Sequence, residues 1–276
     1  MELTVPMTPG ILLKFTTGSH SGKKYPTAGL QKGFLLVHEG HDLAEEGVGF
    51  GVPILKQGIH TIFPGSAALI SIEEDPQRPV TQVAVNYRMN LEERIESVNS
   101  KFLYTIKNFL AVLIRRIPLS RYPLTSASNA LRWMFGLQTT YEEAGFCTEI
   151  TAIYFLDREA GTFRVEIDAA NLDKYGITEV VVMNEQGAHA FDQFCDSNGT
   201  NLVGNEINCW DKVTSEWARF ASTSHRLAFT LRQAPGATLF RGRELVGARL
   251  AWSGFGISFS PAATKISYQL KIEALE

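Results

Sequence analysis

The chain has 276 residues, of which 45% are hydrophobic and 20% charged, and its formal net charge is −3. This is the composition of a folded globular protein, and the length is sufficient for one large β domain. The slight acidity argues against nucleic acid as a partner, because duplex-binding proteins carry a basic excess, and it argues against adhesion to an anionic membrane.

The sequence lacks the features of a membrane or secreted protein. No segment has the roughly 18 uncharged apolar residues of a membrane helix, since the most apolar one, Phe102 to Ile114, contains Lys107. The first residues show neither the basic nor the apolar region of a signal peptide, so we expect a cytoplasmic protein. The three cysteines are widely spaced and odd in number, which indicates free thiols and no zinc site; they are Cys147, Cys195 and Cys209.

Short apolar runs separated by glycine and proline predict a series of strands over residues 1–90. These runs are Ile11 to Phe15, Gly33 to Gly40, Ile59 to Phe63 and Ala67 to Ile72. Thr81 to Met89 alternates between apolar and polar residues with a period of two, which predicts a half-buried strand.

The pattern changes in the middle of the chain. Apolar residues recur there at spacings of three and four, which is typical of one face of an amphipathic helix; they are Phe102, Ile106, Phe109, Leu110 and Leu113. A second helix is predicted over Ser126 to Phe135, ending at Gly136. We therefore expect a two-helix insert near residues 100–136, with Phe109 buried.

Strand patterns return after Thr148 and continue to the C-terminus. They are Ile150 to Leu156, Thr162 to Ile167, Glu179 to Met183, Arg226 to Leu231, Ala237 to Phe240, Leu245 to Trp252, Gly256 to Phe259 and Ile266 to Ile272. No alternating strand–helix rhythm is present, so a parallel α/β fold is disfavoured. The sequence predicts a mainly β protein: a large antiparallel β-sandwich forming a single domain over residues 1–276.

Two motifs resemble known sites but lack their spacing. His38-Glu39-Gly40-His41-Asp42 has metal-binding residue types, but its histidines are three apart around a glycine, so a polar turn is the favoured interpretation and no metal is expected. Gly47 to Pro53 is rich in glycine but matches neither a dinucleotide fingerprint nor a phosphate loop, so no cofactor is expected. These glycines favour close strand packing or a β-bulge.

The candidate site joins residues from two late segments. Glu185 and His189 follow the buried strand Glu179 to Met183 and could form a catalytic acid/base couple, although a turn has the same composition. Arg241 and Arg243 point the same way in a strand and could bind a carboxylate or phosphate, the alternative being a solvated edge strand.

An aromatic side chain could complete the site. Trp252 could stack on a sugar, although aromatic residues also fill β-sandwich cores. If Arg241 and Arg243 lie beside Glu185, its pKa should be lowered and His189 should be the group that titrates near neutral pH.

Overall size, strand content and the mid-chain helices resemble the galactose-mutarotase-like supersandwich of aldose epimerases and polysaccharide lyase β domains. The residues that carry the resemblance are the run Gly47 to Pro53 leading to Thr61 to Gly65, and Trp252 to Gly256. The resemblance implies a large antiparallel sandwich and a carbohydrate-related function. The Asn-His-x-x-x-Asn run of the epimerases is missing, so no catalytic residue is carried over.

The sequence is compatible with two functions. In the first, a sugar-binding or sugar-acting protein places Glu185, His189, Arg241, Arg243 and Trp252 around a small carbohydrate or sugar acid. In the second, a non-enzymatic assembly protein uses its sheet edges or helices as an interface, with an oligomeric state that the sequence leaves open. A concave polar cleft with aromatic residues favours the first, and a large exposed apolar patch favours the second.

Overall fold

A computed structural model describes residues 1–8, 10–17, 30–75, 77, 79–97, 137–170, 172–246, 250–260, 263 and 265–275. The strands are β1 (Glu2–Thr8), β2 (Ile11–Thr16), β3 (Leu35–His38), β4 (His41–Asp42), β5 (Gly49–Gln57), β6 (His60–Glu74), β7 (Val80–Ser97), β8 (Leu137–Asp157), β9 (Thr162–Asp168), β10 (Glu179–Gly187), β11 (Gln193–Asp196), β12 (Asn201–Val203), β13 (Cys209–Val213), β14 (Trp217–Ser222), β15 (Leu227–Arg232), β16 (Ala237–Val246), β17 (Leu250–Phe259) and β18 (Lys265–Ala274). The predicted two-helix insert near residues 100–136, with Phe109, lies outside the described residues.

The strands form two antiparallel sheets. Fourteen of them pair in the order β12-β11-β14-β15-β18-β9-β8-β7-β6-β5-β10-β17-β16-β13, and β1 to β4 form a separate four-stranded sheet. The prediction of a mainly β, antiparallel protein is therefore confirmed. Within the described ranges no helix is long and apolar enough to cross a membrane.

The large sheet folds over so that its two halves face each other across one apolar core. Phe220 of β14 lies 4.9 Å from Phe255 of β17, although nine places separate these strands in the order of the sheet. The ring of Phe50 of β5 lies 5.2 Å from Phe229 of β15. All four rings are fully buried, so their removal from water stabilises the folded arrangement of the sheet.

The small sheet packs onto the same core through its buried aromatic residues. Phe34, in the segment leading into β3, lies 5.1 Å from Phe15 and 5.0 Å from Tyr154 of the large sheet. The buried amide of Gln186 accepts a hydrogen bond from Leu36 N at 3.0 Å and donates one to Phe34 O at 3.2 Å. A side chain thus satisfies the backbone groups where the two sheets meet.

A bulge in β5 confirms the interpretation of the glycine-rich run. The register between β5 and β10 shifts at Asn184, and Gly51 has a φ of 80° there. Asn184 Oδ1 accepts hydrogen bonds from Gly51 N at 3.1 Å and from Tyr268 Oη at 2.8 Å, and Tyr154 Oη donates to Gly51 O at 2.8 Å. Polar groups from three other strands therefore fix the bulge inside the core.

Some strand boundaries differ from the prediction. β6 runs through both predicted segments, Ile59 to Phe63 and Ala67 to Ile72, because irregular pairing around Pro64 lets the strand continue. β10 continues to Gly187, so Glu185 lies inside a strand and not in a turn after it. The His38-to-Asp42 segment is a tight hairpin between β3 and β4. No cluster of three potential metal-ligating side chains occurs among the residues that the structure describes.

Candidate functional site

Strand register decides which predicted site residues share a face of the large sheet. Side chains alternate across a strand, and residues directly opposite each other in neighbouring strands lie on the same face. Trp252 is opposite Glu244 of β16 and Gly187 of β10, and Glu185 is opposite Gly254. Glu185, Trp252 and Glu244 therefore share one face of β10, β17 and β16, which we call the tryptophan face.

Two stacked indole rings characterise this face. The rings of Trp210 and Trp252 lie 4.9 Å apart at an interplanar angle of 22°. A Cβ on Gly242 would lie 2.8 Å from Trp252, and one on Gly256 would lie 3.0 Å from Trp210. Because the strands carry glycine at these positions, the indoles can lie flat against the sheet backbone.

The backbone of Trp210 is strained. Its φ is 59°, and the register between β13 and β16 shifts at this residue. A positive φ is unfavourable for a residue with a bulky side chain and persists only where the surroundings impose it. This backbone conformation places the ring of Trp210 against Trp252. Residues with strained backbones cluster at binding and catalytic sites.

Glu185 is a nearly buried carboxyl on the same face. Glu185 is only 6% exposed, and its Oε2 accepts a hydrogen bond from Val48 N at 3.3 Å. Burial raises the pKa of Glu185 to about 7; the Val48 hydrogen bond opposes this shift, the charge of Glu244 adds to it, and that of Lys32 opposes it. The predicted lowering of this pKa by arginines is wrong, because burial dominates and no arginine contributes.

Lys32 is a candidate site residue that sequence reasoning missed. Its Nζ donates to Glu45 O at 3.1 Å, and burial lowers the pKa of the amine, against the opposing charges of Glu46, Asp42 and Glu185. Burial thus raises the pKa of the carboxyl and lowers that of the amine, and shifts of this kind are common where side chains act as acids or bases. No motif surrounds Lys32 in the sequence that would have indicated this role.

Arg241 and Arg243 lie on the opposite face from Glu185. They point the same way, as predicted, but they are opposite Phe255 and Ser253, which are on the core side of β17. The Arg241 guanidinium donates to Asp211 Oδ2 at 3.0 Å and to Ile207 O at 3.1 Å.

The Arg243 guanidinium is also bonded within the protein. It donates to Ala188 O at 3.0 Å and to Asn205 Oδ1 at 3.3 Å. Both arginines therefore form their hydrogen bonds on the core side of the sheet, and the strand register places them on the opposite face from Glu185 and Trp252.

His189 lies just beyond the end of β10, at the margin of the tryptophan face. Its side chain is 61% exposed, and its Nδ1 lies 2.8 Å from Glu45 Oε2. The Glu45 side chain in turn lies on Gly187, where a Cβ would come within 2.7 Å of it. His189 therefore contacts the loop that covers Glu185, and no hydrogen bond between His189 and Glu185 is found within the described residues.

The pH dependence of stability tests the state of Glu185. Its pKa is about 7 when folded and 4.5 for a freely solvated glutamate, so ionisation costs folding free energy. The penalty is absent below pH 4.5, grows as the pH rises through this interval, and reaches about 3 kcal/mol above the folded pKa. Glu185→Gln removes the penalty, so the variant should become progressively more stable than the parent protein as the pH rises.

Denaturant unfolding of both proteins across this pH range measures the difference. Glu216→Gln is the matched control, because it makes the same substitution at an exposed glutamate. A difference between Glu185→Gln and the parent that stays constant with pH would show that the Glu185 carboxyl has an ordinary pKa.

Comparisons with known proteins show likeness of fold only. No family model and no curated protein matches the chain. Among solved structures, the chain is similar to the alpha-N-acetylgalactosaminidase NagBb from Bifidobacterium bifidum, with 11% identity and a TM-score of 0.49. The match covers 99% of this chain and 36% of the enzyme, so the chain spans about a third of that protein's length.

Two further structures match over their full length. A galactose mutarotase-like protein from Lactobacillus casei ATCC 334 has 11% identity and a TM-score of 0.36, with 99% of each chain covered. The protein HI1317 has 6% identity and a TM-score of 0.35, with coverage of 99% of this chain and 100% of that one. A galactose mutarotase-like protein is thus among the structures that the chain resembles, as the sequence predicted. A shared fold does not determine function, which depends on the residues of the site.

Proposed function

We propose that this protein binds, and acts on, a small uncharged carbohydrate at the tryptophan face. The observation that carries the proposal is the position of Glu185, a buried carboxyl with a pKa of about 7, on the same face as the Trp210–Trp252 stack. An aromatic surface beside a carboxyl group matches the two surfaces of a sugar, whose C–H groups pack on rings while its hydroxyls form hydrogen bonds.

Glu185 can exchange a proton with such a ligand. A carboxyl with a pKa near 7 is present in both its protonated and ionised forms at neutral pH, so it can donate a proton to a sugar oxygen or accept one from a hydroxyl. Val48 N contacts only Oε2, and no hydrogen bond to Oε1 is found among the described residues. The second oxygen is therefore the atom we assign to the ligand.

The charges on this face favour an uncharged sugar over a sugar acid. The carboxyl groups of Glu185 and Glu244 lie on the tryptophan face, whereas Arg241 and Arg243 lie on the core side, where they donate hydrogen bonds to Asp211 Oδ2 and Ala188 O. An anionic ligand would meet two acidic groups on this face. Among the described residues, the positive charge that acts on Glu185 is that of Lys32. Like charges brought together in a partly buried site are unfavourable.

Calorimetric titration with a panel of sugars tests this proposal. We expect galactose or N-acetylgalactosamine to bind and galacturonate to bind more weakly or not at all. Trp252→Ala should weaken sugar binding by at least about tenfold, because the buried Trp252 ring supports the partly exposed ring of Trp210 on which the sugar packs. Trp217→Ala is the matched control, since Trp217 is a partly exposed tryptophan on β14, in the other half of the sheet.

Three outcomes of the titration are decisive. Absence of binding by every sugar at millimolar concentration contradicts the proposal. Equal weakening by Trp252→Ala and Trp217→Ala also contradicts it, because it removes the site from the tryptophan face. Tight binding of galacturonate that is lost in Arg243→Ala would place the ligand on the side of the arginines.

Among the described residues, which exclude the predicted helices, the assembly function has one supporting observation. Ile70 and Ile72 of β6 are 57% and 45% exposed, and they belong to a strand that pairs with β5 only between Leu55–Gln57 and His60–Ile62. Two exposed isoleucines make a small patch, whereas specific interfaces bury on the order of 800 Å² per partner. The carbohydrate function therefore has the stronger support.

A further inference from the structure

The Glu185 carboxyl is covered by a short loop. Residues 44–48, which we call the strap, lead into β5 and pass over the side chain of Glu185. Val48 N donates to Glu185 Oε2 at 3.3 Å, and a Cβ on Gly47 would lie 3.0 Å from Gln186 O. A ligand that contacts the free oxygen of Glu185 must therefore find the strap displaced, since the residue is only 6% exposed.

The two ends of the strap are firmly anchored. Before it, Leu43 is buried in the main core and its carbonyl accepts a hydrogen bond from Gly187 N at 2.7 Å. At its other end, Val48 O accepts one from Gly33 N at 2.8 Å. The strap itself closes a turn, with Gly47 N donating to Ala44 O at 2.8 Å. Ala44 and Val48 are buried, so residues 45–47 between them are the part that can be displaced.

The middle of the strap is held by polar contacts at the surface. Glu45 has a φ of 48°, which is strained for a glutamate. Its side chain pairs with Nδ1 of His189 at 2.8 Å, and its carbonyl accepts a hydrogen bond from Lys32 Nζ at 3.1 Å. The His189 side chain is 61% exposed, and exposed pairs of this kind contribute little stability. The contact that closes the strap is therefore easily broken.

Gly187 lies beneath this contact. A Cβ at this position would come within 2.7 Å of the Cγ, Cδ and Oε1 atoms of Glu45. Gly187 does not have the left-handed φ that would exclude alanine. Gly187→Ala should therefore displace the flexible Glu45 side chain, and so break the contact with His189, without straining β10.

We propose that the strap is a lid over Glu185, that the Glu45–His189 pair is its latch, and that the lid opens to admit the ligand. The proposal rests on the proposed function for the identity of the ligand. Opening itself is a property of the chain and can be measured without any sugar. His189 then acts through the strap, as a positioning residue, and does not touch the ligand.

Hydrogen–deuterium exchange followed by mass spectrometry tests the lid. In His189→Ala and in Gly187→Ala, amides of the segment 45–48 should exchange about two- to fivefold faster than in the parent protein, while β18 is unchanged. Lys14→Ala is the matched control, because it breaks the exposed Lys14–Glu2 pair, 3.0 Å long, in the small sheet. It should leave exchange of the strap unchanged.

Carbodiimide labelling of the Glu185 carboxyl gives an independent readout. Labelling should also be several-fold faster in both latch variants, because the carboxyl is uncovered more often. Unchanged exchange and labelling in both variants would overturn the lid, whether or not a sugar binds. Faster exchange in a protein that binds none of the sugars would leave the lid intact and overturn the proposed function.

Discussion

Replacing Phe255 by alanine is expected to lower the free energy of unfolding by about 3–5 kcal/mol. The ring of Phe255, on β17, is fully buried, and it lies 4.9 Å from Phe220 and 5.8 Å from Phe229 on the opposite half of the sheet. Its removal leaves a cavity at the contact that holds the two halves together. Equilibrium denaturation in urea measures the loss.

A surface substitution on the same sheet is the control for Phe255→Ala. Ile70→Ala removes an apolar side chain that is 57% exposed, so it should change stability by no more than about 0.5 kcal/mol. A loss below about 1 kcal/mol for Phe255→Ala would contradict the packing of β17 against β14 and β15.

Gly51→Ala is expected to destabilise the protein by about 4 kcal/mol, from two causes that add. Gly51 has a φ of 80°, which disfavours a side chain, and a Cβ there would lie 2.5 Å from Cε1 of Tyr154. Tyr154 is fully buried and its hydroxyl bonds to Tyr87 and to Gly51 O, so the ring cannot move without loss of these bonds.

The matched control for Gly51→Ala is Gly40→Ala. Gly40 also has a φ of 80°, but nothing lies within 4 Å of the position that a Cβ would take there, so only the backbone strain of about 1–2 kcal/mol should appear. Thermal or urea unfolding of both variants separates the two causes. Equal losses in the two variants would show that Tyr154 does not press against the bulge.

The local strand signals in the sequence were sufficient to predict much of the fold. Thr81 to Met89 alternates in sequence and lies within β7, and Ile266 to Ile272 alternates in the same way within β18. The predicted strands Ile150 to Leu156 and Thr162 to Ile167 lie within β8 and β9, which form a hairpin. Alternation and turn residues are local properties, so a single sequence reports them well.

Non-local register could not be predicted, and it decides the composition of the site. Arg241 and Arg243 do share a face, but whether Glu185 shares it depends on the pairing of β10 with β17 and of β17 with β16. A shift of one residue in either register would exchange the faces, and no local pattern specifies it here. The site that we propose therefore contains Glu185 and Trp252 without the arginines.

Backbone conformation and tertiary burial explain the remaining differences. The positive φ of Trp210 places its ring on Trp252, but nothing in the sequence around Trp210 indicates that conformation. The sequence around Lys32 contains no motif that indicates a buried lysine. Its burial and its hydrogen bond to the strap arise only in the folded chain. The raised pKa of Glu185 has the same origin, since burial is a property of the assembled sheet.

The most direct test of the central claim, that the ligand binds on the tryptophan face, is two-dimensional NMR of ¹⁵N-labelled protein during a titration with galactose. The indole N–H signals of Trp210 and Trp252 and the amide signal of Val48 should shift together, because these groups surround Glu185 or share its face. The indole signal of Trp217 should stay in place. Shifts of the Arg241 and Arg243 Nε–H signals, with the tryptophan pair unchanged, would place the ligand on the opposite face and contradict the account.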